Sequence, residues 1–222
     1  MIMVQDGIAT AAQKGQETRN RILGAAVDIA SVEGLEGLTI GRLATTLGMS
    51  KSGLFGHFGS KEGLQLATLA AAREIFIQEV IRPALQAPRG LARIWALCNA
   101  WMSYIERGVF KGGCFYFAAS AEFDSRPGPV RDLVATDMRE WLDFLEVAFQ
   151  KAQEQGQLMA DVNGPQLAFE LNSLFLGANW AMQLYGDMQA ADRARLAVLE
   201  RLHSISASNA SPLPPLETIN LL

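Results

Sequence analysis

The sequence predicts an all-α fold, on three observations. Apolar residues recur at helical spacing along nearly the whole chain, as at Ile22, Ala26 and Ile29. Helix caps and glycine stops punctuate these stretches, with Thr39, Ser50 and Ser60 opening helices and Gly48, Gly59 and Gly156 closing them. Strand-like alternation is missing, as are turn pairs flanked by strand-like runs. Roughly nine helices are expected.

Residues 1–15 are small, polar and aperiodic, and are expected to form a flexible arm carrying Lys14. A first helix is read over Glu17–Glu33, with Arg19 and Arg21 on its polar side and Gly34 and Gly37 marking its end. Behind Thr39, residues Ile40, Leu43, Ala44 and Leu47 share one face of a short second helix, which Gly48 ends. Ser50 caps a third helix, Lys51–Phe58, containing Leu54 and Phe55. Two short helices joined by a tight glycine turn read as a helix-turn-helix. Residues 39–61 hold Arg42, Lys51, Lys61 and His57 but no Asp or Glu, a sign that suits DNA.

Ser60 caps a longer helix reaching about Leu85, and Pro83, Pro88 and Gly90 then break the chain. Leu91–Glu106 is apolar over most of its circumference, which predicts burial. A short apolar helix follows over Cys114–Phe123, then a long amphipathic one over Val130–Gln155. Asn163 or Gly164 caps Gln166–Tyr185, with Pro165 at its start, and Ala190–Ser206 is the last helix. The Pro- and Ser-rich stretch 207–222 is expected to be disordered.

The 222 residues are half hydrophobic with a formal net charge of -4, which excludes a disordered, purely basic DNA-coating protein. Two cysteines, Cys98 and Cys114, are too few for a disulfide-dense secreted scaffold. The N-terminal residues lack a signal-peptide pattern and no run is long enough to span a membrane, so a cytoplasmic protein is expected. Walker, HExxH, GxSxG and CxxC motifs are missing, and the two histidines, His57 and His203, sit in no catalytic or metal pattern. Neither enzyme nor cofactor is expected.

Ser50-Lys51-Ser52-Gly53-Leu54-Phe55-Gly56-His57-Phe58, followed by Ser60-Lys61-Glu62, resembles the TetR family of transcriptional regulators. The likeness runs from about Gln16 to Leu69. It implies a DNA-binding head at 16–62 and a larger helical part at 63–206 that binds an effector and dimerises. It also implies double-stranded operator DNA and an unidentified small, mostly apolar molecule as partners, with the effector releasing a repressor. In the head, Thr39, Arg42, Ser50, Lys51, Ser52, Gly53, Phe55, His57 and Lys61 are the candidate DNA-binding residues. The family often has Tyr where Phe55 stands, and Gly56 replaces a longer side chain. Few side chains are then left to read bases, so specificity is expected to lean on Arg42, Ser52, close backbone approach and DNA shape.

In the larger part, Trp95, Cys98, Met102, Phe115, Phe117, Trp141, Phe144, Asn172, Phe175 and Asn179 are candidates to line an effector cavity. The same residues can equally be plain core. The last two helices, about 165–206, are the expected homodimer surface. Their stripes are Leu171, Leu174, Ala178, Ala181, Met182 and Tyr185, and Leu196, Leu199, Leu202 and Ile205; packing inside the monomer is the alternative. Cys114, at a helix start, allows an electrophile or redox sensor as a further reading. A helical protein-interaction module is the other alternative.

Overall fold

The computed structural model describes residues 11–208, 210 and 212–219. Among the described residues nine helices follow one another: α1 (Ala11–Gly37), α2 (Ile40–Leu47), α3 (Lys51–Phe58), α4 (Lys61–Phe76), α5 (Leu91–Glu106), α6 (Phe115–Phe123), α7 (Pro129–Glu154), α8 (Gly164–Tyr185) and α9 (Gln189–Ile205). α4 continues without a break through a π-helical turn (Ile77–Ile81) and a last helical turn (Arg82–Ala84). The π turn lies just before Pro83, which lacks an N–H and would press on a carbonyl of the preceding turn in a regular α-helix.

The chain forms two regions on one shared core. α1, α2 and α3 pack together, and α4 packs against both α1 and α3 before running into the larger part. There it meets α7, and its π turn meets α5; α8 packs against α7 and α9. One contiguous cluster of buried apolar side chains includes Leu43 and Leu54 of the head, Leu69 of α4 and Leu202 of α9. Displacement of a helix in one region is therefore felt in the other, because a close-packed interior transmits strain.

α1 begins at Ala11, earlier than the expected start at Glu17, so residues 11–15 are helical rather than an arm. Good helix formers extend α1 there although none of the described side chains faces the core. The remainder of the expected arm, residues 1–10, lies outside the described residues. α1 is interrupted at Gly34, whose φ of 79° and ψ of 164° are non-helical.

Part of the stretch expected to be disordered makes defined contacts. Among its described residues, Ala210 and Leu213 pack on the core and Leu216–Thr218 forms a 3-10 turn. His203 Nε2 stands 3.0 Å from the Pro214 carbonyl oxygen. Proline fixes this stretch in few conformations, so a single leucine anchor has less entropy to overcome.

Candidate nucleic-acid interface and interior cavity

The helix-turn-helix is built by side-chain caps. Thr39 Oγ1 accepts from the Arg42 amide at 3.0 Å and opens α2. Gly48, at φ 63°, ends α2 in the left-handed conformation that costs glycine least. Ser50 Oγ accepts from the Gly53 amide at 3.1 Å to open α3, and Ser60 Oγ accepts from the Gly63 amide at 2.9 Å to open α4. Leu43 and Leu54 are fully buried and join the two short helices. Phe58 is half-buried with the Arg19 guanidinium 4.8 Å above its ring, and Arg19 also donates to the His57 carbonyl at 2.9 Å. Arg19 thus braces the end of α3.

α3 turns Lys51, Ser52, Gly53, Phe55 and Gly56 outward, while His57 is half-buried. Phe55 is 55% exposed, an apolar ring displayed to solvent. Among the described residues, the Lys51 ammonium has no ion pair, and neither do the exposed Lys14 and Arg21. Two expected DNA contacts are instead held within the head. Arg42 forms an ion pair with Glu33 at 2.6 Å and donates to Thr46 Oγ1 at 3.2 Å. Lys61 pairs with Glu36 at 2.9 Å. The partner carboxyls respond: Arg42 lowers the pKa of Glu33, and Lys61, then Gln65, lower that of Glu36. Both carboxylates belong to the end of α1, outside the acid-free stretch 39–61.

A second feature lies in the larger part. A cavity of about 260 Å³ opens between α4, α5, α6, α7 and α8. α4 and its π turn contribute Arg73, Phe76, Ile77 and Ile81, and α7 contributes Asp137, Met138, Glu140, Trp141 and Phe144. Trp101, Cys114, Tyr116, Phe117, Asn172 and Leu176 complete the wall. Phe76, Trp101 and Trp141 meet edge to face, with ring centres 5.3–6.4 Å apart. Asn172 Oδ1 accepts from Trp141 Nε1 at 3.2 Å and so fixes one ring.

Of the residues expected to line a cavity, Phe117, Trp141, Phe144 and Asn172 do so. Cys98, Met102, Phe115 and Phe175 are buried core beside it, and Trp95 packs half-buried on that core. Asn179 Oδ1 instead accepts from the Cys114 amide at 2.8 Å, where it serves the start of α6. The α4 wall goes unrecognised although Phe76, Ile77 and Ile81 lie on one helical face; that stretch reads simply as a connecting rod. Tyr116 and Asp137 meet through the fold, and no local pattern marks the pair. Cys114 is buried, and that burial raises its thiol pKa, outweighing the backbone amides that lower it. This environment disfavours the thiolate that an electrophile sensor needs.

No described helix is long and apolar enough to cross a membrane.

Comparison with known proteins gives two family matches. Residues 22–68 match the family described as "Bacterial regulatory proteins, tetR family". Residues 90–198 match "Tetracyclin repressor-like, C-terminal domain". No curated protein matches the chain. Among solved structures, a TetR transcriptional regulator from Chloroflexus aurantiacus J-10-FL is similar, with TM-score 0.81 and 25% identity, covering 87% of this chain and 98% of that one. AibR, solved with isovaleryl coenzyme A and operator DNA, has TM-score 0.63 and 25% identity, covering 81% and 97%. A regulator from Saccharomonospora viridis, solved with choline, has TM-score 0.74 and 22% identity, covering 86% and 99%.

Proposed function

The chain belongs to the TetR family of transcriptional regulators, and from that membership we propose a ligand-released repressor that reads operator DNA as a homodimer in the cytoplasm. The observation that carries the DNA-binding role is α3 itself: a capped helix with Lys51, Ser52 and Phe55 facing outward and, among the described residues, no carboxylate on Lys51. At 1.5 Å per residue it is about 12 Å long, a fit for one major groove. Lys51 takes a phosphate, Ser52 reaches a base edge, and Phe55 offers its ring to a thymine methyl group. Gly53 and Gly56 allow close backbone approach.

The cavity is the effector site in this reading. Its wall includes α4, which runs directly into the head, so a molecule that fits only one placement of α4 also selects one placement of α3. The shift in DNA affinity then equals the difference in effector affinity between the two placements. AibR, solved with both isovaleryl coenzyme A and operator DNA, supports a protein of this fold having a small-molecule site as well as a DNA-binding head.

A gel shift of the purified protein against the DNA upstream of its own gene tests the role. A sequence-preferring complex that weakens steeply with salt is expected. Equal binding to every duplex, or a complex indifferent to salt, would remove the proposal.

A further inference from the structure

We propose that the effector is an organic cation, an ammonium group on an aromatic or alkyl body, and that Asp137 is the residue that selects it. The inference rests on the reading of the cavity as an effector site and adds the chemistry of its occupant.

The charged residues of the wall are Arg73, Asp137 and Glu140, leaving one negative charge in excess. They do not count equally. Arg73 and Glu140 side chains are about half exposed, at 48% and 52%, and they pair with each other, so solvent screens both. The Asp137 side chain is only 6% exposed. Its Oδ2 accepts from the Tyr116 hydroxyl at 2.6 Å. Its Oδ1 accepts no hydrogen bond among the described residues, and Arg73 Nε stands 3.5 Å away. A carboxylate oxygen so weakly served, on a side chain otherwise shielded from solvent, favours a cationic donor.

The surrounding surface fits the same ligand. Phe76, Trp101 and Trp141 are clustered on the wall, and aromatic faces attract cations while their bodies accept hydrocarbon. Anions meet the opposite field. Arg73, the one cation on the wall, already faces two carboxylates. A carboxylate or phosphate entering the cavity would add a like charge beside Asp137.

Three probes that share a ring system and differ in charge test this: naphthylmethylamine, naphthalenemethanol and naphthoate, titrated calorimetrically into the full chain near neutral pH. The amine is expected to bind about tenfold more tightly than the alcohol, with naphthoate weakest. In Asp137→Asn, which keeps the side chain's shape, the amine-to-alcohol ratio is expected to fall toward unity. An alcohol that binds the wild type as well as the amine does, or a ratio unchanged in Asp137→Asn, overturns the proposal and leaves the cavity as an effector site for another class. Naphthoate binding most tightly overturns it too. If none of the three binds, the effector-site reading fails with it. The wild-type order decides even if Asp137→Asn does not fold.

Discussion

Among the described residues Lys51 stands on α3 with no carboxylate within pairing distance, whereas Arg42 and Lys61 are held by Glu33 and Glu36. Three cations in one head are therefore not equivalent. Lys51→Ala is expected to weaken binding evenly across operator variants and to lower the slope of log affinity against log salt by about one unit. Glu33→Gln frees Arg42, so tighter and more salt-sensitive binding is expected from the same titration; unchanged slopes would mean Arg42 stays outside the interface. Glu36 carries a pH dependence. Lys61 and Gln65 hold its carboxyl below the ordinary 4.5. A lowered folded pKa stabilises above the unfolded value, and that stability fades as pH falls through the folded one. The pair is exposed, so its contribution is under about 1 kcal/mol. The stability difference between wild type and Glu36→Gln in urea melts should therefore be present at neutral pH and shrink as the pH drops below 4.5.

One carboxylate of α6 holds the end of α1. Glu122 accepts from the amides of Leu35 and Glu36 at 2.8 and 2.9 Å, immediately after the break at Gly34. Gly34 has φ 79°, and a Cβ there would lie 2.8 Å from the Glu122 carboxylate. This clamp joins a helix of the cavity wall to the base of the head, since Glu36 itself binds Lys61 and Gln65 of α4. Glu122→Ala leaves two backbone donors without their carboxylate and should cost about 1–3 kcal/mol in a denaturant melt. It should also reduce the change in operator affinity that a cavity ligand produces, read in gel shifts with and without that ligand. Full coupling in the variant would locate the connection elsewhere, in α4 alone. Glu122 is legible as a polar residue in apolar surroundings, able to satisfy backbone groups, but its partners are not, because they lie far apart in the chain. The caps are legible: Thr39, Ser50 and Ser60 act on amides three residues away. The cavity falls between these cases. Aromatic residues advertise that α5, α6, α7 and α8 are apolar, but which rings face the opening depends on how five elements converge.

At the scale of the whole molecule, helical periodicity marks α8 as apolar nearly all round and leaves open which face stays inside. Leu171, Ala178 and Met182, and Leu199, Leu202 and Ile205 of α9, are buried within the monomer, so the stripes expected to meet a partner are mostly internal. The open face of α8 instead carries Phe169, Trp180 and Leu184, with Tyr185 and Met188 beside its end. Ser173 and Gly177 lie between them on the same face, small enough for another helix to approach. Trp180 is 49% exposed and its ring stacks edge-on against Tyr185, so removing it disturbs little of the monomer's own core. In the proposed homodimer this exposed apolar face is the surface on which a second copy packs, so that two heads can span two half-sites. Trp180→Glu places a charge in the middle of that face. Sedimentation should then show a monomer whose melting behaviour is close to wild type. Operator affinity should fall by about a hundredfold or more, the usual loss when two linked contacts become one. A dimer that survives Trp180→Glu, or a monomer that keeps full operator affinity, would place the partner surface somewhere other than the open face of α8.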